Sequence, residues 1–392
     1  MKSVDLQDLG FDEGGHLLVK RELATLAVDE ALQVRGRSEA LGVHLRGWCR
    51  ALGHGFEADA GGQGGIVRRG AAEVGRWRGA AQAGGAGSVE GDAAAHWGLA
   101  ARGSTVEAGV PDYDFPLHTR AEAWAADAPR LYAQGLAAQW NPDTAVSWDV
   151  PFELEPEVED AVVQVMTYLI ENETAALVLP ARFASQVHPH YREVMQLLAL
   201  QAADEARHIE VFTRRALLKR DRPGLSTVGG QASLKTLVDE RDFAEATLLL
   251  SVLGEGSFLS LLHFLHQYGP DPITREISRL AAQDEARHVA FGLSHLAEQA
   301  AHEGGLLDRL ESAIRRRHDA LAATAGLNEE VFDALVLIGA AGWEPERLRE
   351  GWRRVQALEA AMHAGRRARL LRLGFTEERA DDLASLHTRN FM

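Results

Sequence analysis

From about residue 119 to the end of the chain, apolar residues recur every three or four positions, the period of a helix with one buried face. The pattern predicts helices over 119–139, 155–180, 190–220, 233–268, 272–302, 305–325, 328–339, 344–372 and 376–388, with Thr376 as N-cap of the last. Upstream the rhythm breaks, because 22 of the 38 glycines fall in residues 1–110. One stretch there, 16–34, has helical spacing through Leu23, Leu26, Glu30 and Val34. Segments 41–49, 65–69, 72–78, 94–101 and 104–108 read as short strands between Gly-rich turns such as GGQGG (61–65) and GGAG (84–87). Trp48, Trp77 and Trp97 are the expected core of this unit, and VPDYDFP (110–116) reads as a linker. The expected organisation is a small Gly-rich, β-containing unit over 1–115, followed by a helical domain over 119–392.

Two of the helical stripes carry charge where they should be apolar. The pentapeptide DEARH occurs at 204–208 and again at 284–288. Residues three apart share a helix face, so Glu205 points with His208 and Glu285 with His288. Both pairs lie on the inward stripe, Leu198-Ala202-Glu205-Ile209-Phe212 in one helix and Ile277-Ala281-Glu285-His288-Gly292 in the other. Glu173 interrupts the apolar stripe of 155–180, and Glu255 that of 233–268; Glu171 falls on the solvated side and is the less favoured choice. A further Glu-x-x-His, Glu13 to His16, spans two glycines and is set aside. Buried acids are costly unless paired or bound to metal. Four helices that each turn a carboxylate inward, two of them adding an imidazole, supply the six ligands that two divalent ions need. The competing reading is a salt-bridge network with Arg207 and Arg287, but each arginine is better placed for Asp204 or Asp284 at i, i+3.

Bulk properties narrow the class. The net charge of −16 argues against nucleic acid as a partner. A single cysteine, Cys49, excludes an internal disulfide and an all-cysteine zinc site. The stretch 243–265 is long and apolar, yet Glu255 between Gly254 and Gly256 favours a buried bundle helix over a membrane span. MKSVDLQDLG lacks the pattern of a signal peptide, so a cytoplasmic protein is expected. GGQGG has the wrong spacing for a dinucleotide fingerprint, and His188-Pro-His190 reads as a helix-end turn rather than a ligand pair.

The six residues resemble the ligand set of the ferritin-like di-iron carboxylate superfamily, strongly over 155–300 and more loosely upstream through LYAQGLAAQWNPDTAVSWD (131–149). The resemblance implies a mainly α fold, a ferritin-like four-helix core with additional C-terminal helices that could form a homodimer interface. It implies that Glu205 and Glu285 bridge two irons, with manganese or a mixed manganese–iron pair as variants. Glu173 would be terminal on the ion held by His208, and Glu255 on the ion held by His288, with Asp204 and Asp284 accepting from the histidine ring N–H groups. Phe212 stands where the small subunit of ribonucleotide reductase often carries its radical tyrosine, and Ala281 where arylamine N-oxygenases carry a third histidine. The implied activity is an O2-dependent oxidase or monooxygenase acting on a small organic substrate by hydroxylation, N-oxidation, desaturation or oxidative cleavage. The expected apolar lining is Leu169, Phe212, Val252, Phe258 and Phe291. No flavin, nicotinamide or iron–sulfur motif is legible, so an external reductase or ferredoxin is the expected electron donor. The alternative is iron oxidation or peroxide scavenging without an organic substrate.

Overall fold

The computed structural model describes residues 1–322 and 329–386. The chain divides into two compact units, one of residues 1–81 with 105–110, the other of 82–104 with the chain from 111 onward. In the first unit, strands β1 (Lys2–Asp5), β2 (Ala31–Arg35), β3 (Gly55–Ala58) and β4 (Gly64–Arg68) form a sheet in the order β1-β2-β4-β3. β1 and β2 run parallel and the other pairs antiparallel, so helix α1 (His16–Ala24) serves as the crossover between β1 and β2. Helix α2 (Leu41–Leu52) follows, ended by Gly53 in the left-handed conformation.

The sequence expectation misplaced this unit in several respects. Segment 41–49 is helical, not a strand. Leu41, Leu45 and Cys49 are buried one turn apart, whereas Val43, which made the pattern look alternating, is 74% exposed. The helix expected over 16–34 stops at Ala24 and its tail is β2. Residues 72–78 and 94–101 form turns, with a single 3₁₀ turn at Ala95–Trp97. The segment 82–104, expected in the N-terminal unit, belongs with the helical one: Trp97 packs on His190, and Arg102 pairs with Glu193. Of the three tryptophans expected to share a core, Trp48 flanks the Leu32/Leu45/Val67 cluster, Trp77 is exposed and Trp97 is in the other unit. Cys49 is buried, and burial pushes its thiol up to about 11, so it behaves as a small apolar group.

The helical unit has the expected mainly α, four-helix core. It begins with α3 (Arg120–Ala123), α4 (Ala128–Ala137) and α5 (Pro142–Ala145). The first core pair is α6 (Pro156–Ala184) against α7 (Arg192–Ala216). After α8 (Val228–Val238), the second pair comprises a composite helix and α11 (Pro272–His302). The composite helix runs α9 (Phe243–Thr247), a π-helical segment (Leu248–Glu255) and α10 (Gly256–Tyr268). The two pairs meet through α7 and α11. Behind them lie α12 (Leu306–Ala322), α13 (Glu329–Ala340), α14 (Pro345–Leu373) and α15 (Glu377–Ser385). The predicted ends 323–325 and 387–388, and residue 328, lie outside the described residues.

Two expected helices are broken. Helix 119–139 is split at Trp124–Asp127, ahead of Pro129 near the start of α4. Helix 233–268 is split at 239–242, where Asp242 caps α9 by accepting from the Glu245 amide at 2.9 Å. The apolar stretch Phe243–Tyr268 has a composition that could cross a membrane, but 83% of its most apolar window is buried inside the unit, as a central bundle helix requires.

One buried ion cluster locks the far end of the core. Arg215 on α7 is fully buried and donates to both oxygens of Glu159 on α6, at 2.6 and 3.0 Å, and to Asp271, the N-cap of α11, at 2.8 Å. Three helices therefore depend on one guanidinium. Replacement by an apolar side chain, Arg215→Met, would strand two buried acids and is expected to cost about 3–5 kcal/mol in urea unfolding. A loss below about 1 kcal/mol would show that the acids are neutralised some other way.

Candidate metal centre

Each expected ligand sits on the element that its pattern assigned. Glu173 lies on α6, Glu205 and His208 on α7, Glu255 at the end of the π segment, and Glu285 and His288 on α11. All six are at most 4% exposed, whereas Glu171 is only half-buried and outside the cluster. They form two groups whose ligand atoms all lie within 4.8 Å of one another: Glu173-Glu205-His208-Glu285 and Glu205-Glu255-Glu285-His288. Glu205 and Glu285 belong to both.

The histidines show how the halves are oriented. His208 Nδ1 lies 3.6 Å from Glu173 Oε2, 3.3 Å from Glu205 Oε2 and 3.4 Å from Glu285 Oε1. His288 Nδ1 lies 3.0 Å from Glu205 Oε1, 3.3 Å from Glu285 Oε2 and 3.9 Å from Glu255 Oε1. Each shared glutamate thus offers one oxygen to each histidine. The opposite ring nitrogens face outward and cross over: His208 Nε2 is 3.2 Å from Asp284 Oδ2, and His288 Nε2 is 3.3 Å from Asp204 Oδ2. A carboxylate on the outer nitrogen fixes the ring and leaves Nδ1 as the inward donor atom.

The arginines of the two DEARH segments serve the aspartates. Arg207 reaches Asp204 and, at 2.8 Å, Asp284; Arg287 reaches Asp284 and, at 3.2 Å, Asp204. Among the described residues the inner glutamates therefore have the two histidines as their nearby cations, and several atoms of the cluster make no hydrogen bond: Glu173 Oε1, both oxygens of Glu205, Glu255 Oε2 and Glu285 Oε1, together with His208 Nδ1. Buried carboxylate oxygens with no donor are rare because each forfeits its hydration. These orphaned atoms all lie on the two groups that could coordinate a cation, so the residues fit a pair of divalent ions with oxygen and imidazole ligands.

Titration follows the same geometry. Burial and the neighbouring Glu205 charge push Glu173 up to about 8. Burial, then the charge of Glu285, raises Glu255 well above the carboxylate range. Burial would lower both histidines, but the carboxylates around them hold both rings protonated well above the ordinary value. Burial also works against Asp204, yet His288 brings it down to about 2.

Several residues of the site were not singled out from sequence. Gln201, one turn before Glu205, donates to Glu255 Oε1 at 2.8 Å. Trp140 Nε1 donates to Asp284 Oδ2 at 2.8 Å, and Gln139 Nε2 to Asp204 Oδ1 at 2.8 Å. Both lie inside the 131–149 segment, where only their place in the stretch gave a signal. A narrow recess adjoins the cluster, lined by Glu173, Glu255 and Glu285 with Ala176, Leu250 and Phe258. Of the expected lining only Phe258 borders it, while Phe291 lines a neighbouring recess and Leu169, Phe212 and Val252 are fully buried core.

No protein-family model matches the chain, and no curated protein matches it. Among solved structures the chain is similar to an R2-like ligand-binding oxidase from Sulfolobus acidocaldarius, at 17% identity over 68% of this chain and 95% of that one, with a TM-score of 0.41. It is also similar to a variant R2-like ligand-binding oxidase with an anaerobically reconstituted Mn/Fe cofactor, at 18% identity over 65% and 95%, TM-score 0.44. A third is another variant with an aerobically reconstituted Fe/Fe cofactor, at 17% identity over 68% and 95%, TM-score 0.40. At these identities and scores the likeness adds no weight to the site, which stands on its own geometry.

If the six residues are ligands, metal uptake must expel the protons held by Glu173, Glu255 and the two histidines. Binding of Co(II) to stripped protein at pH 6.5 is therefore expected to release more than one proton per chain and to tighten as pH rises. Calorimetry in buffers of different ionisation enthalpy measures the release; proton-neutral binding would place the ion elsewhere. The same raised values mean that the metal-free fold binds more protons than the unfolded chain, so its stability should fall as pH rises through about 8.

Proposed function

We propose that this chain is a dimetal-carboxylate oxidase that uses O2 to oxidise a small organic substrate seated in the recess beside Glu173 and Glu255. The observation that carries the reading is the set of orphaned oxygens on Glu173, Glu205, Glu255 and Glu285, which the nearby arginines leave unpaired in favour of Asp204 and Asp284. Glu173, Glu205, His208 and Glu285 would hold one ion, and Glu205, Glu255, Glu285 and His288 the other. Iron, or iron with manganese, suits this donor set and supplies the redox chemistry with O2 when bound.

The chain's own residues do the rest. Glu205 and Glu285 would each contribute to holding both ions, because each presents one oxygen to either side. Asp204 and Asp284 hold the imidazoles in the orientation that exposes Nδ1. Gln201 fixes one oxygen of Glu255 and leaves the other free to reach an ion. Leu250, Ala176 and Phe258 keep the recess apolar, which excludes water from the reacting centre and favours a substrate with hydrocarbon surface. A hydrogen-bonded file runs from half-buried Trp140 through Asp284 to His208, a direct route for electrons from an external reductase or ferredoxin. The reading places the protein in the cytoplasm, where such donors are available.

The test is reconstitution. Stripped protein reloaded anaerobically with Fe(II) is expected to hold about two irons per chain and, on exposure to O2, to develop a ligand-to-metal absorption band. Glu205→Ala and Glu285→Ala should each lose most of the bound metal, since each removes a ligand from both ions. Full retention of two metals by either variant would overturn the assignment. Oxidation of many irons per chain without substrate would replace the oxidase by an iron-handling protein.

A further inference from the structure

Away from the metal cluster, the start of α6 and the helices α13 and α14 bound a groove of about 500 Å³ that is open to solvent. That volume is in the range of small-molecule sites. Its buried walls are apolar, formed by Ala161, Ala334 and Leu337. Trp343, in the turn before α14, and Trp352, near the start of that helix, stand over it at 54% and 51% exposed. Trp352 is held edge-on to Phe332, with ring centroids 5.3 Å apart. The turn of Trp343 is pinned by Arg347, which donates to the Ala341 carbonyl at 2.8 Å and pairs with Glu344 at 3.2 Å. Two large rings are thus held beside one groove with about half of each in water, an apolar exposure that a bound molecule would relieve.

The charge of the groove has one sign. Glu157 and Asp160, three residues apart on α6, line it, as do Glu330 and Asp333, three apart on α13. Among the described residues no lysine or arginine lines it. Asp160 pairs with Arg220 at 2.6 Å, from outside the lining, whereas Glu157, Glu330 and Asp333 have no ion pair among the described residues. The arginines near the start of α14 are engaged elsewhere, Arg349 with Glu346 and Arg353 with Glu350. A cleft lined by one sign of charge beside apolar walls concentrates counter-ions. The indole faces add to that attraction, because the negative side of the ring quadrupole draws a cation. An isologous contact with a second copy would instead bring these acids against their own kind.

We propose that this groove binds a small organic cation, an alkylated ammonium whose charge lies against Trp343 and Trp352 and among Glu157, Glu330 and Asp333. Alkyl groups on the nitrogen match the apolar walls, and aromatic rings are the surface that receives such a cation best. A bare divalent ion is the poorer match. Among the described residues the ligand atoms that converge closely enough for one are those of the metal cluster, and none of the groove's acids is among them. The groove shares no lining residue with that cluster and does not rest on its reading.

The test is calorimetric titration of the full-length chain with choline chloride and with 3,3-dimethylbutan-1-ol, which has the same shape without the charge. Choline is expected to bind once per chain, against a sodium chloride blank, and about tenfold more tightly than the alcohol. Trp343→Ala and Trp352→Ala should each weaken choline about fivefold. Both rings are half exposed, so these variants are expected to keep the parent's Tm, measured alongside. The double variant Glu330→Gln/Asp333→Asn should remove most of the difference between choline and the alcohol. Glu346→Gln, at an exposed position on α14 outside the groove, should change neither. The proposal is overturned if choline does not bind, if the alcohol binds as tightly, or if the tryptophan variants bind choline unchanged. Pentalysine binding far more tightly than choline would overturn it in favour of a basic segment of a partner protein. A dimer in sedimentation velocity that Trp343→Ala abolishes would overturn it in favour of a second copy.

Discussion

The helical unit is organised around one electrostatic constraint: four carboxylates are buried at the same point, with two imidazoles as the cations in direct reach among the described residues. No hydrophobic packing compensates such a cluster, since each carboxylate oxygen without a donor forfeits its hydration. The structure answers in layers. Gln201 satisfies one oxygen of Glu255, the two aspartates orient the histidines, and Arg207 and Arg287 neutralise the aspartates rather than the glutamates. The glutamate oxygens that remain without a hydrogen bond lie in the two groups that could meet a cation. The rest of the core, from the Arg215 cluster to the stacked C-terminal helices, supplies the rigidity that keeps these atoms converged.

The buried cluster was legible because its residue types are wrong for their positions. A glutamate in an apolar stripe is conspicuous at helical spacing, and Glu173, Glu205, Glu255 and Glu285 each broke such a stripe. The backbone around Glu255 was not legible. The stripe read as regular α-helix, yet Leu248–Glu255 is π-helical, and nothing in a run of leucines signals an i→i+5 register. The N-terminal unit failed for a different reason. Over nine residues, Leu41-Val43-Leu45 alternates as a strand would, while Leu41-Leu45-Cys49 repeats as a helix does, and only the tertiary core selects between them. Gln139 and Trp140 lie outside any amphipathic stripe, so periodicity could not have found them.

The π segment lies between the glutamate cluster on one side and buried arginines on the other. Its inner side bears Glu255 and part of the recess beside the cluster, through Leu250 and Gly254. Its outer side bears Leu249 and Leu253, with arginines beyond. A π-helical turn alters which side chains face which neighbour within a few residues, and such turns recur at functional sites for that reason. Gly256 then lets α14 approach closely enough for a guanidinium to rest on the backbone directly after Glu255.

The crossed pairing of histidines and aspartates has a consequence for how the two halves of the core relate. His208, on the first helix pair, is oriented by Asp284 from the second; His288, on the second, is oriented by Asp204 from the first. Neither copy of the repeated pentapeptide completes itself. Each imidazole therefore takes its orientation from an aspartate on the helix pair that does not carry it.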